Sequence, residues 1–324
     1  MKKLSLISIA LVLFIAFFTS CAPQPSAPVA GSAKVDDMLT LIPKDVQGVF
    51  FVDVHKAAST DFADKQLKEE DTYEKYQEFV EETGIDPKKD IYFVAVGLTK
   101  GIEEKGQEGV AVLNLKYDKE ALLTKVRKEE GELREEDYNG ITLYSGGDDE
   151  EKVGAFLDDS NIVIGNKETV KATIDIYQKK AENVLKNREL ISLISQTNKE
   201  AIFWGAMLIP PETMQKASSE NPMLSTFEAI TAAAFYFDYK NKNILAEIKV
   251  MSEDETKNKQ IVDALNGFKA MGAMAAAKQP EVGELLNKLE ISSGPDHAKI
   301  YASIPEELID KLKSKTKITP PEEE

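Results

Sequence analysis

Histidine and cysteine are almost missing from the chain: 324 residues contain two histidines, His55 and His297, and one cysteine, Cys21. That removes most of the side chains from which zinc, copper and iron sites are built, and most nucleophile–base pairs. No disulfide can form within the chain, so a protein of this length must be held by its hydrophobic core. Cations are also in deficit, with 40 Lys and Arg against 56 Asp and Glu, for a formal charge of −16. Non-specific nucleic-acid binding needs a cationic surface that releases counterions, and is therefore disfavoured. The G-x-S-x-G, H-E-x-x-H and G-x-G-x-x-G patterns are all absent. No metal and no cofactor is expected. What remains, 42% hydrophobic and 30% charged residues, suits a globular body.

The lone cysteine acquires a meaning from its surroundings. Lys2 and Lys3 precede an apolar run from Leu4 to Phe18, followed by Thr19, Ser20 and Cys21. A positive start, a short apolar stretch and small residues at a cut site form a secretory signal, too short to be a comfortable span of roughly 30 Å of hydrocarbon. Phe18-Thr19-Ser20-Cys21 resembles the bacterial lipobox, with Phe18 where a smaller aliphatic residue is usual. The expectation is a signal peptide over 1–20, lipidation of Cys21, and attachment to the membrane through it. Loss of Lys2 and Lys3 makes the mature chain −18, so attachment would rest on acyl chains and not on a basic patch. Ala22 carries no acidic retention signal of the enterobacterial type. The resemblance therefore implies an extracytoplasmic, lipid-anchored protein, placed in the outer membrane and facing the periplasm or the cell surface if the host has two membranes. Residues 21–37 read as the lipidated cysteine and a flexible tether; its stretch 22–36, rich in Pro and small residues, reaches up to roughly 45 Å at about 3.1 Å per extended residue.

Between the tether and an acidic tail at 318–324, strand-like and helix-like stretches alternate. Gly48 to Val54, Ile91 to Leu98 and Gly109 to Leu115 are short apolar runs that predict strands. A helix is predicted from about Phe62 to Thr83, stopped by Gly84, and another after an Asp118 cap with Leu122 and Val126 on one face. Asn139-Gly140 is a strong hairpin turn, a second hairpin turns near Asp159, and a helix follows with Val170, Ile174 and Tyr177 in register. Arg188 to Ser195 is a short helix. Then Ala201 to Leu208 is a strand, Ala229 to Tyr239 and Ile244 to Met251 form a hairpin, and Ser252 with Glu255 forms a capping box for a helix reaching about Lys278. Leu289 to Ser293 and Lys299 to Ile304 form a last hairpin before a helix whose first turn holds Pro305. Neighbouring strands joined by short turns predict mainly antiparallel sheets with packed helices, an α+β fold. The repeated order suggests two similar modules, 38–185 and 186–317, by internal duplication, against one continuous sheet without duplication.

Few residues are candidates for chemistry. Asp53 and His55 share a strand face and could begin a metal site, but further ligands are lacking, and Asp53 reads as a partner for a loop amide. His297 reads as a turn residue, and the glycine-containing acidic stretch Ser145 to Glu151 as a solvated turn. The segment from Ile261 to Ala277 is less ordinary: it combines Ile261, Leu265 and Phe268 with Gly267, Ala270, Gly272 and Ala273. Six of eight methionines fall between Met207 and Met274. Methionine adapts to irregular apolar surfaces. Trp204, Met207, Ile261, Leu265, Phe268, Met271 and Met274 are therefore candidates to line an apolar ligand site, against the plainer alternative of a core helix with small spacers.

Leu41-Ile42-Pro43-Lys44-Asp45 before an apolar strand, Tyr138-Asn139-Gly140, Leu157-Asp158-Asp159 with Gly165, and Ile304-Pro305-Glu306-Glu307 together resemble a group of uncharacterised bacterial envelope proteins. These are exported or lipid-anchored and grouped as a domain of unknown function. The resemblance spans roughly 38 to 315 and implies location and architecture; it brings no active site. Three functions stay open: a non-enzymatic envelope module binding a protein or another envelope component, a carrier of lipid or another apolar ligand, and a hydrolase built on carboxylates alone.

Overall fold

The computed structural model describes residues 35–99, 108–147, 150–252 and 254–316. Cys21, the signal segment 1–20, nearly all of the tether and the acidic tail lie outside the described residues. The chain divides into two compact units, residues 1–195 and 196–324.

Unit 1 opens with α1 (Val35–Leu39), inside the end of the predicted tether, where Met38 and Leu39 are fully buried. Strand β1 (Gly48–Asp53) leads to α2 (Val54–Ala58), α3 (Asp61–Gln66), α4 (Glu70–Thr83) and α5 (Pro87–Asp90). The single helix expected over 62–83 is thus two. Thr60 caps the first of them, and Gln66 and Leu67 turn inward at its end, so burial outweighs the uninterrupted helical pattern there. Gly84 ends α4 at φ 73°, which a glycine adopts without strain. Strands β2 (Ile91–Leu98) and β3 (Gly109–Leu115) precede α6 (Lys119–Glu130), which Asp118 caps by accepting from the Ala121 amide at 2.9 Å. Then come β4 (Arg134–Tyr138), β5 (Ile141–Ser145), β6 (Lys152–Phe156), β7 (Asn161–Asn166), α7 (Lys167–Tyr177) and α8 (Arg188–Ile194). Asn139 and Gly140 both have positive φ, 56° and 84°, as the β4–β5 turn requires.

These strands lie in the order β1-β2-β3-β7-β6-β5-β4, and every pairing is antiparallel. The register puts Val52, Val94, Leu113, Ile162 and Phe156 on one face, where Phe79 and Leu122 of α4 and α6 join them. The opposite face carries Phe51, Ala95, Val112 and Val163, all buried, and α7 packs there on β3, β6 and β7. Val170 and Ile174 of α7 are fully buried, whereas Tyr177, expected on the same face, is 37% exposed, and Ile176 is the buried residue of the last turn. Helix α8 belongs to this unit and not to the second one, correcting the boundary drawn at 185/186. The segment before it is tied back to the start of the unit: the Val184 amide donates to the Ile42 carbonyl, and Asn187 Nδ2 to that of Lys44 at 3.1 Å.

Unit 2 comprises β8 (Phe203–Leu208), α9 (Pro211–Glu220), a 3-10 segment Pro222–Ala229, β9 (Ile230–Lys240), β10 (Asn243–Ser252), α10 (Glu255–Ala275), a 3-10 turn Ala276–Lys278, α11 (Pro280–Asn287), β11 (Leu289–Ser293), β12 (Ala298–Pro305) and α12 (Glu306–Thr316). Its strand order is β8-β9-β10-β12-β11, again antiparallel throughout. In both units the first three strands are neighbours, and the last strand returns beside the third. Three local expectations are corrected. The cap of α10 is Asp254, accepting from the Lys257 amide at 2.9 Å, while the Ser252 hydroxyl is engaged with Asn258 at 2.9 Å. Pro305 closes β12 and does not open the last helix. Helix α11 is an addition to the expected elements: Pro280 opens a new helix just beyond Lys278, where the sequence pattern ends the preceding one. The fold is α+β, with helices on antiparallel sheets.

Candidate functional site

Unit 2 holds the residues singled out for an apolar site, and it treats them unequally. Trp204 and Ile261 are fully buried, and Ile261 belongs to a small core with Phe227, Ile230 and Ala298. Leu265 and Phe268 pack on that core half-buried, with Phe268 stacked on Phe227 at 6.0 Å between centroids. Met207 is half-buried. Met271 and Met274 point outward, 56% and 79% exposed. The first half of α10 is thus a core helix, and the second half is a surface.

The register shows which strand residues of the unit lie under α10 and which lie in the next row. Alternate residues of a strand share a face. Val250 and Ala298 form one cross-strand pair under α10, and the next pair along the same face is Ile248 with Ile300, followed by Phe235 of β9. Helix α10 covers the first row and leaves the second partly open: Ile248 is 44% exposed, and Phe235 is half-buried against Phe203 at 5.2 Å. Lys269 Nζ donates to the Leu289 carbonyl at 2.6 Å and fixes α10 over β11. The small residues of the 261–277 stretch have separate uses. A Cβ on Gly272 would come within 3.3 Å of Leu286, so this glycine admits α11, whereas Gly267 faces open space.

Unit 1 contains a feature that the sequence did not disclose, an apolar cavity of about 90 Å³ between the sheet and helices α4 and α6. Phe79, Leu113, Leu122, Val126, Tyr144 and Phe156 are among its walls. Thr83 also borders it, but its hydroxyl donates to the Phe79 carbonyl at 2.7 Å and accepts from the Ile85 amide at 3.1 Å. The wall residues on β3 and α4 are buried, while Leu122, Val126, Tyr144 and Phe156 are half-buried, so the void reaches toward the surface between α6 and strands β5 and β6. Gly154 in β6, on the sheet face that α4 and α6 cover, offers no side chain to fill the space beneath α6, which packs against α4. A glycine in a half-buried strand opposite a helix was the one signal in the sequence.

Near the cavity, Tyr117 and Phe156 rings lie 5.4 Å apart, and the Tyr117 hydroxyl donates to the Asp158 carbonyl. Burial, reinforced by the charges of Asp158 and Asp159, pushes the Tyr117 phenol up to about 12. The other residues weighed for chemistry are structural. Asp53 caps α2 by accepting from the Lys56 amide at 2.7 Å, and His55 is exposed on that helix. His297 pairs with Asp296 at 2.7 Å in the β11–β12 turn. Glu74, Glu78, Glu81 and Glu82 line a shallow groove on α4 beside Lys128, a spacing that a solvated helix flank explains. Among the described residues, no three of His, Cys, Asp and Glu are grouped to hold a metal ion, and no helix is long and apolar enough to cross a membrane.

A family model for a protein of unknown function, DUF3352, matches residues 102–323. The chain belongs to the DUF3352 family. The family covers all of unit 2 except its last residue, and unit 1 from just before β3 onward. No curated protein matches the chain. Among solved structures, crystal form III of TP0453 is 11% identical over 86% of this chain and 98% of that chain, with a TM-score of 0.48. Crystal form IV of the same protein is 9% identical over 86% and 96%, with a TM-score of 0.49.

Proposed function

We propose that this member of the DUF3352 family is a lipid-anchored, extracytoplasmic binding protein that performs no catalysis and docks a protein partner of the cell envelope on the open apolar surface of unit 2. The observation that carries the reading is the exposure of Met271 and Met274, one helical turn apart on the second half of α10, in a unit that also leaves Ile248 44% exposed. Apolar surface left in water in one contiguous place marks an interaction site more often than single exposed residues do. Methionine supplies such surfaces without demanding one partner shape. The anchoring half of the proposal rests on the sequence from Lys2 to Cys21, and the outer membrane is the proposed location where two membranes exist. The strand order common to the two units supports their origin as copies of one module.

A photo-crosslinking residue in place of Met274, in intact cells, tests the docking surface. The expected result is one discrete protein adduct, absent when the same residue replaces Lys240 at the exposed end of β9. Adducts that are equally weak and scattered from both positions contradict it.

A further inference from the structure

The cavity of unit 1 asks for an occupant, independently of the docking surface above. Water is a poor one: a buried water needs two to four polar partners, and the Thr83 hydroxyl at the wall is already engaged. By volume the site is not trivial. On the order of 10–15 Å³ is the least that accommodates one water-sized group, so a cavity of about 90 Å³ has room for a short run of apolar groups. The walls admit apolar matter only, and the half-buried residues mark a way in between α6 and the strands β5 and β6. At that entrance stands a cation. Lys119, exposed at the first turn of α6, places its Nζ 5.0 Å from the Phe156 ring centre and 5.8 Å from that of Tyr144, the two rings that form the entrance wall.

We propose that unit 1 binds a single-chain anionic amphiphile of the fatty-acid type, with a short stretch of its alkyl chain in the cavity and its carboxylate at Lys119. One chain fills the space, so a two-chain lipid would leave its second chain in water. The cation–π contact keeps Lys119 over the mouth in the unliganded protein, and an anion there gains a charge partner beside a low-dielectric wall.

Isothermal titration of the purified full chain, held free of micelles, with sodium octanoate tests the assignment. The expected result is saturable one-to-one binding. Val126→Phe, which puts a ring into the cavity from α6, is expected to weaken it tenfold or more with the thermal midpoint unchanged or raised. Gly154→Val, filling from the sheet side, is expected to do the same and serves if the first variant is poorly folded. Lys119→Gln is expected to weaken octanoate a few-fold and to leave octanol unaffected. Absence of octanoate binding, or binding unchanged in both filled variants, overturns the site. Octyltrimethylammonium binding as well as octanoate overturns the head-group assignment.

Discussion

Two glycines on neighbouring strands of unit 1 are expected to respond in opposite directions to the same added methyl group. A Cβ on Gly154 would meet only the Val163 carbonyl at 3.7 Å and Ile164 Cγ1 at 3.8 Å, ordinary contact distances, with the cavity beyond. Gly154→Ala therefore buries one carbon without displacing anything, for about 0.8 kcal/mol. It also restricts the unfolded chain, for about 0.4–1 kcal/mol more. The sum is a stabilisation of about 1–2 kcal/mol, or about 2–8 °C in the midpoint of a unit this size at 2–4 °C per kcal/mol. A Cβ on Gly165 would stand 2.3 Å from the Gly109 carbonyl oxygen and 2.9 Å from Val110 Cα, both backbone atoms of β3, which cannot rotate away. Gly165→Ala must push β7 off β3 and is expected to cost about 3 kcal/mol, the upper end for an overpacked site. Thermal unfolding followed by circular dichroism gives the midpoints, and hydrogen exchange of β6 and β7 amides assigns the change to unit 1. Destabilisation of 1 kcal/mol or more by Gly154→Ala would refute the cavity's place next to β6, and a neutral Gly165→Ala would refute the tight β3–β7 approach.

Three further outcomes are expected. Asp118→Ala removes the cap of α6 and should cost about 1 kcal/mol, measured by urea unfolding, with exchange rising first in the α6 amides. Burial pushes the Asp86 carboxyl up, but Lys89, the Tyr76 hydroxyl and the Lys88 amide together hold it below its ordinary value of 3.8. This group stabilises the fold above that value and loses its contribution as pH falls through its lowered pKa, so the cost of Tyr76→Phe, about 1 kcal/mol at neutral pH, should vanish in acid unfolding curves. Tyr117, raised to about 12 from 10, stabilises the fold below pH 10 and loses that contribution as pH rises through 12; Tyr117→Phe should flatten the alkaline stability profile in that window and remove the last-titrating phenol from the ultraviolet difference spectrum.

Where local chemistry dictates structure, the sequence was readable. The Asn139-Gly140 turn, the Gly84 stop, the Asp118 cap and the three strands 48–53, 91–98 and 109–115 all follow from rules that act over a few residues. Errors arose where two local devices competed or tertiary burial intervened. Ser252 and Asp254 both offered a cap, and Asn258, fully buried one turn on, drew the Ser252 hydroxyl away. The break between α3 and α4 follows from burying Gln66 and Leu67, which the mixed-sign pattern around Lys68 hides. The candidate site was half legible. The unusual composition of 261–277 does mark a helix with one buried and one open half, but which half is open depends on how far the sheet extends beneath it. The cavity was barely legible: Gly154 in its wall is a signal, but a void also depends on the distance between α6 and the sheet, which no local pattern fixes.

Methionine oxidation tests the docking account most directly. The purified chain and intact cells are exposed to dilute peroxide, and the sulfoxide at each methionine is read by mass spectrometry. In the purified protein Met274 and Met271 should oxidise fastest, ahead of buried Met38 and Met251. In cells a partner on the apolar surface should slow Met271 and Met274 several-fold, while exposed Met223 in the 3-10 segment keeps its rate. Equal rates for Met271 and Met274 in cells and in the purified protein would contradict the central claim.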